Sequence, residues 1–593
     1  MLDYTAPVRD MKFVINELIG MDQIEKLQGY DEVNEELSDA ILEEAAKLAR
    51  EVLSPLNRKG DLEGARFQEG VVRTPEGWKE AYKSFCDAGW GSLSMSPEYG
   101  GQGLPKVISS AVSEMWDASN MSFSLCPLLT NGAIEAIEKH GSEFLRSVYL
   151  EKLVSGEWTG TMNLTEPQAG SDLSAVQTKA IPDGEHYRIK GQKIYITYGE
   201  HDLVENIIHL VLARTPGAPA GTRGISLFVV PKFLVQPDGK IGERNEVNCL
   251  SLEEKMGIHA SPTAVMSYGD DKGAVGYLVG EENHGLAYMF TMMNAARHAL
   301  GREGVAQSDG SFQLALQHAR QRVQGKAPGG EIGAPIIEHP DVKRMLMTMK
   351  CQVEAMRALA ISVAFSYDEA ERSPQEAEKS VASRRGDLLT PVVKGWCTET
   401  AQIVTSLGTQ IHGGMGFVEE TGAAQYQRDA RITTIYEGTT GIQASDFVGR
   451  KTLRDGGQAI GELLKEMKET IKQMASAEAE GREIRESFLS SVTDLEDVVD
   501  WLLQNANEPR VVASAAVNYM LLAGVTCGGW MMTRAAQISQ SHLDSGSGEK
   551  AFYESKIMSA LFYAKNILPQ TSALATMICE GSESIAALDT VHL

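Results

Sequence analysis

Two segments carry residue types that can do chemistry. In MNLTEPQAGSDLS (162–174) the hydroxyls of Thr165 and Ser171 can hydrogen-bond a polar ring or a phosphate, and Gly170 lets backbone N–H groups approach a ligand closely. The same residues also suit a turn capped by Asp172, and local chemistry alone favours that use. Neither a Walker loop nor a GxGxxG fingerprint is present, so a nucleoside triphosphatase or a nicotinamide-binding Rossmann site has no support. In IHGGMGFVEETGAAQYQRDARITTIYEGTTGIQ (411–443), paired glycines follow Gln410 and Glu437 stands in a YEGT turn after the apolar run ITTI. Partial burial there would raise the glutamate toward the range of a useful general base, whereas a solvated Glu in a turn would be only a cap.

These residues need elements to hold them. From Val33 to Ser54, Leu37, Ala40, Ile41, Ala45, Leu48 and Val52 recur at spacings of three and four, the mark of an amphipathic helix, and similar patterns run to about residue 155. MSPEYGGQGLP (95–105) interrupts them as a loop. HYRIKGQKIYIT (186–197), ENIIHLVLAR (205–214) and RGISLFVVP (223–231) are short, β-branched and bounded by Gly or Pro, which predicts strands. Helical periodicity returns after about Gly280, broken by the loop KAPGGEIGAP (326–335), and a last helical stretch follows Arg450. SHLDSGSGEK (541–550) reads as an exposed loop. The expected fold is mainly helical α+β, divided as 1–160, a β domain at 161–280, a helical bundle at 281–450 and a further helical domain at 451–593.

Composition bounds the function. The chain has 593 residues, 43% of them hydrophobic, and its 80 acidic against 55 basic side chains give a formal charge of -25, which repels nucleic acid. Seven scattered cysteines form no CxxC pair, so a disulfide framework and a zinc site are both disfavoured. Arg9, Asp10 and Glu17 break the apolar positions near the start, so no secretory signal is expected and the expected location is the cytoplasm. Val511 to Thr533 is free of charge and long enough to span a bilayer, but Ser514, Asn518, Thr526 and three glycines dilute it, and a buried helix is expected instead.

Taken together and in order, LTEPQAGSD (164–172), GQKIYIT (191–197), ARQRVQG (319–325), IIEHPDV (336–342), QIHGGMGF (410–417) and RDARITTIYEGTTGIQ (428–443) resemble the acyl-CoA dehydrogenase family over most of residues 40 to 450. The family fold is a helical domain, a β-barrel-like domain and a helical bundle. The segments outside that core are similar to those of the longer branch, which includes bacterial fatty acyl-CoA dehydrogenases and 3-methylthiopropanoyl-CoA dehydrogenase. The resemblance implies FAD-dependent oxidation of an acyl-CoA to its trans-2-enoyl-CoA, with electrons passed to an electron-transfer flavoprotein. An acyl-CoA oxidase and a DNA-associated flavoprotein of the alkylation-response type are the alternatives, the latter calling for a basic C-terminal surface that the composition lacks.

By the same resemblance, Glu437 is the base that removes the α-proton, and its backbone N–H holds the thioester oxygen together with a flavin hydroxyl. Some family members place the base just before a family arginine, but here Ala296 precedes Arg297. Leu164 and Thr165 are expected along the flavin ring, Tyr195 and Thr197 against the ring and N5, Ser171 near the pyrophosphate or pantetheine, and Thr439 at the flavin. Tyr436 and Gly438 flank the base at the substrate. Arg322, Gln324, His339, Val342, Gln410 and Gly414 match positions that reach the FAD of a neighbouring subunit, which implies at least a homodimer. Three departures stand out: no aromatic precedes Gly325, the following loop is lengthened, and Gly441 replaces a frequent cofactor-contacting Gln.

Overall fold

The computed structural model describes residues 4–236, 239–330, 332–474 and 479–592. The chain forms two compact units: one gathers the described residues of Met1–Ala46, Lys106–Ala118 and Leu300–Leu593, the other Lys47–Pro105 and Ser119–Ala299. The fold class is the one expected, mainly helical with a central sheet.

Among the described residues the strands all lie in the second unit. β1 (Arg66–Gln68) and β2 (Val71–Arg73) form a small hairpin, as do β8 (Phe233–Val235) and β9 (Ile241–Arg244). The main sheet is built from β3 (Thr159–Asn163), β4 (Lys179–Asp183), β5 (His186–Thr197), β6 (Ile207–Ala213), β7 (Ser226–Pro231), β10 (Val247–Leu252), β11 (Thr263–Tyr268) and β12 (Ala274–Val279). Its order is β10-β11-β5-β12-β7-β6-β3, with β4 beside β5. β3 runs parallel to β6; the other pairings are antiparallel. Every residue of β6 and β7 is buried, so these strands are covered on both faces and lack the alternation of a half-exposed strand. One face packs on Tyr149, Leu150, Met289 and Met292 from the flanking helices and on Trp158 from the connection into β3.

The first unit is a bundle whose long helices are Pro340–Arg372, Glu376–His412 and Pro509–Ser545. Pro509–Ser545 is long and apolar enough to cross a membrane, yet 67% of its most apolar window is buried, as expected of a core helix. Its glycines explain how. A Cβ on Gly524 would stand 2.2 Å from Trp396 Cγ, and one on Gly528 2.3 Å from the Tyr563 hydroxyl oxygen. Small residues therefore let bulky aromatic rings press against the helix backbone.

Two loops differ from expectation. The helix expected to give way to a loop at 541 runs on to Ser545 and ends where Gly546 adopts φ 66°. KAPGGEIGAP is closed by the bridges Val323↔Pro335 and Lys326↔Ile332, with Glu331 outside the described residues. All seven cysteines are free, five of them buried.

Gly524→Ala is expected to cost about 1–3 kcal/mol through overpacking against Trp396, read as a lower thermal midpoint, whereas Gly461→Ala, at a helix position where an added Cβ meets no atom, lacks that clash.

Candidate active site

Glu437 lies in a tight connection within the first unit. The helix Ala423–Arg431 ends in a short turn through Thr434, and a new helix starts at Thr440. Thr439 caps that helix, its Oγ1 accepting from the Ile442 N–H at 3.4 Å. Between them the backbone is left-handed twice, with φ 52° at Glu437 and 97° at Gly438. A side chain at 438 would also collide with Gln443, whose Nε2 would lie 2.5 Å from the added Cβ. A glutamate at positive φ is uncommon and persists only where its surroundings impose it.

The surroundings do impose it. Gln443, fully buried, donates to the Glu437 carbonyl at 3.3 Å. The Tyr436 hydroxyl donates to a carboxyl oxygen of Glu303, and the Thr440 hydroxyl to Glu399. Glu437, Tyr436 and Gly438 are themselves half-buried, so the carboxylate is held but not sealed away. Tyr436, expected at the substrate, has its hydroxyl committed to Glu303. Burial, with Asp117 adding to it, pushes the Glu303 carboxyl well above the ordinary range.

The second unit holds another group of expected residues. Leu164 and Thr165, both half-buried, follow β3 directly. The Ile194 N–H donates to the Thr165 carbonyl at 3.0 Å, which lays this loop along β5. Opposite, the register between β5 and β11 slips, so that Ile194 and Tyr195 together face Val265. Tyr195 takes up the bulge with φ 60° and is left 60% exposed, although it is a large aromatic within a strand, two residues before its end. Thr197 follows at the end of the strand, its carbonyl accepting from the Thr161 hydroxyl at 2.7 Å. Ser171 is exposed on the loop beyond Gly170.

Beneath that loop is an ion pair. Glu166 meets Lys193 at 2.8 Å with both side chains almost wholly buried. Glu166 also accepts from the Gln177 and Thr178 N–H groups and the Thr178 hydroxyl, while Lys193 donates to the Leu164 carbonyl at 2.9 Å. Burial pulls Lys193 down to about 8 against the attraction of Glu166. For Glu166 burial is outweighed by Lys193 and these donors, so its carboxyl falls below the ordinary range and the pair is ionised at neutral pH.

The remaining expected residues fall in a third group, in the first unit. His339 Nε2 pairs with the Gln324 carbonyl at 3.0 Å, Arg322 donates to the Gln324 side chain at 3.3 Å, and the Arg322 carbonyl accepts from the Ile336 N–H at 2.7 Å. Val342 is half-buried in the first turn of the helix Pro340–Arg372. Gln410 and Gly414 lie exposed at the end of the helix Glu376–His412, where His412 stacks on His318 at 4.4 Å, four residues before Arg322. Exposed apolar side chains occur in the same segments: Phe417 is 89% and Ile332 85% exposed, with Val323 and Met415 about half so.

Models of the acyl-CoA dehydrogenase N-terminal, middle and C-terminal domains match residues 35–157, 161–270 and 283–451, and an acetyl-CoA dehydrogenase C-terminal-like model matches 463–589. The chain belongs to the acyl-CoA dehydrogenase family. It is 47% identical to the 3-methylmercaptopropionyl-CoA dehydrogenase of Ruegeria pomeroyi over 98% of this chain and 99% of that one. With a butyryl-CoA dehydrogenase of Syntrophomonas wolfei it shares 35% identity over 96% and 95%. Among solved structures, an acyl-CoA dehydrogenase of Bacillus anthracis complexed with FAD superposes with a TM-score of 0.73 at 21% identity, covering 96% of this chain and 94% of that one, which shows the shared fold.

Sequence patterns miss Glu303, Glu399 and the Glu166–Lys193 pair. The only available signal is a charged residue inside an otherwise apolar helix or strand face, as Glu303 is in LGREGVAQ.

Lys193→Met is expected to cost about 3–5 kcal/mol by leaving Glu166 buried and unpaired, and the double change Lys193→Met with Glu166→Gln to recover much of that loss; thermal unfolding of the three proteins checks it.

Proposed function

We propose that this enzyme oxidises an acyl-CoA thioester to its trans-2-enoyl-CoA, with FAD as the cofactor and 3-methylthiopropanoyl-CoA or a short fatty acyl-CoA as the substrate. What carries this reading is a half-buried glutamate, fixed at positive φ, at the YEG turn of an acyl-CoA dehydrogenase chain. The near-full-length similarity to the Ruegeria enzyme favours the thioether substrate.

The residues suit a flavin. Tyr195 offers an exposed aromatic face at a bulge, the hydroxyls of Thr165 and Thr197 lie close by in sequence and sheet, and nothing lies within 4 Å of a Cβ added at Gly413 or Gly414. When bound, FAD supplies the acceptor for the β-hydrogen as hydride, and with it the two electrons of the oxidation. The protein does the rest. The Glu437 carboxylate takes the α-proton, and its backbone N–H steadies the negative charge that develops on the thioester oxygen. Tyr436 and Gly438 flank the acyl group. The Thr439 hydroxyl accepts from Ile442 and so has its own proton to donate to the cofactor. Leu164, Thr165, Tyr195 and Thr197 border the flavin, and Ser171 takes the pyrophosphate or pantetheine.

Arg322, Gln324, His339, Val342, Gln410 and Gly414 serve the FAD of a second subunit, so the active form is at least a dimer. The exposed Ile332 and Phe417 beside them support this, because such side chains favour burial against a partner. The electron acceptor is an electron-transfer flavoprotein, the location is the cytoplasm, and the divisions at about residues 160, 280 and 450 separate the helical, β, bundle and C-terminal parts.

Anaerobic addition of 3-methylthiopropanoyl-CoA, butyryl-CoA and a long-chain acyl-CoA is expected to bleach the flavin fastest with the first or second. A flavin that none of them bleaches would overturn the assignment, and oxygen consumption matching substrate oxidation would turn it to an oxidase. Glu437→Gln is expected to keep flavin and to slow its reduction by about 10²-fold or more, since the amide cannot accept the proton.

A further inference from the structure

We infer that Glu303 is a positioning residue: by holding the hydroxyl of Tyr436 it clamps the turn that presents Glu437 and so aims the base. This rests on the catalytic reading of Glu437 above.

The geometry of the clamp singles it out. Glu303 is fully buried in the helix Gly285–Gln321, and the residue it grips is the immediate chain neighbour of Glu437. The groups that face it come from every element packed there: Asp117 from the helix Lys106–His140, Arg302 from its own helix, Lys394 from Glu376–His412, and Tyr436. Arg302 is engaged by Asp117 at 2.8 Å and does not pair with Glu303. Glu303 Oε1 has no hydrogen-bond partner among the described residues, and neither has Asp117 Oδ1. Two buried carboxyl groups sharing one environment cannot both ionise cheaply, and burial with Asp117 keeps the proton on Glu303.

A buried acid engaged only with a tyrosine hydroxyl is a costly anchor to keep for packing alone. An apolar side chain of similar size would fill the same space. What it would not do is fix the rotation of the turn, because the backbone leaves the helical conformation at Glu437 and Gly438, both at positive φ. With Thr440 tied to Glu399 and the Glu437 carbonyl held by Gln443, the Tyr436–Glu303 contact is the side-chain restraint on the N-terminal side of the base, where the Tyr436 N–H also donates to the Ile432 carbonyl at 3.2 Å.

The test compares Glu303→Gln, Glu303→Ala and Tyr436→Phe with the wild type, all with FAD content measured, in anaerobic flavin reduction by 3-methylthiopropanoyl-CoA and butyryl-CoA. Loss of the clamp in Glu303→Ala or Tyr436→Phe is expected to lower kcat by on the order of 10- to 100-fold while KM changes little, since misaiming a bound reactant costs rate and not affinity. Glu303→Gln, whose amide oxygen still accepts from Tyr436, is expected to restore most of the rate. A Glu303→Gln as slow as Glu303→Ala, or a Tyr436→Phe as fast as the wild type, overturns the inference while leaving Glu437 as the base. A wild-type flavin that no acyl-CoA reduces overturns the underlying reading instead.

A second readout needs no substrate. A carboxyl raised in the folded state contributes stability that is fully present below its unfolded value of 4.5 and is lost as pH rises through the raised value. Thermal midpoints of the wild type are therefore expected to fall, relative to Glu303→Gln, as pH increases above 4.5. Parallel midpoints across that range would overturn the protonated clamp.

Discussion

The role proposed for Glu437 puts one constraint on the candidate site: a carboxylate that is to take a proton from carbon must be held still without being buried completely. A helix would hold Glu437 but bury one face of it, and a free loop would expose it without direction. The chain solves this with a left-handed residue between two helices, and three surrounding helices supply the restraint. Glu303, Glu399 and Gln443 come from three different elements and grip positions 436, 440 and 437. Strain of this kind costs of order 1–3 kcal/mol and is sustained by the bundle that over-determines it.

That bundle is itself tied together by buried charge. Arg357 is almost fully buried and meets Asp10 at 2.7 Å, Glu114 at 2.6 Å and Asp309 at 3.4 Å, while Lys556 pairs with the same Asp10. Asp10 belongs to the segment before the first family domain and Lys556 to the C-terminal helices, so the two parts outside the common core meet at one point inside the first unit. Arg9 adds to the contact by lying 3.9 Å over the Phe552 ring. Lys556 and Arg357 hold Asp10 well below the ordinary carboxylate range against the effect of burial, whereas burial pushes Glu114 up to about 7. Such a network adds little net stability compared with an apolar core, but it accepts only one arrangement of its members. The C-terminal helices thereby have a structural role that no motif in them reveals.

The legible parts of the sequence were those with a period or a punctuating residue. The strands around residues 186, 207 and 226 announce themselves by β-branched runs between glycines and prolines, whereas Glu437, which in isolation reads as a solvated cap, stands out only through the family resemblance of its YEGT segment. The helix after Pro509 was harder, since a chargeless stretch reads alike in a membrane and in a protein core. What decides it is Trp396 and Tyr563 lying against its glycines, partners set by tertiary packing. SHLDSGSGEK has the composition of a loop, yet only residues 546–549 form one, because polar residues on the exposed last turn of a helix look the same in sequence; Gly546 ends the helix. Glu303, Lys193 and Glu166 stayed hidden for a different reason. A buried ionisable group is recognisable only by its partner, and these partners lie 133 and 27 residues away.

Backbone strain draws the site out by another route. Among the described residues six other than glycine adopt positive φ: Glu69, Tyr195, Tyr198, Ile258, Asn283 and Glu437. Glu69 lies in the two-residue turn of a hairpin and Asn283 is a residue that tolerates the conformation, so both have local reasons. Tyr198 is buried with its hydroxyl on the Ser122 carbonyl, and Ile258 is buried too, so packing accounts for them. Tyr195 and Glu437 have neither excuse. One is an exposed aromatic in a strand bulge, the other a half-buried acid in a turn, and a buried acid anchors the segment beside each: Glu166 with Lys193 under the Thr165 loop, and Glu303 under Tyr436. The same device, a strained residue left at least partly open to solvent beside a buried polar anchor, therefore occurs in each unit, at the position where the cofactor ring would need a platform and at the position where the substrate would need a base.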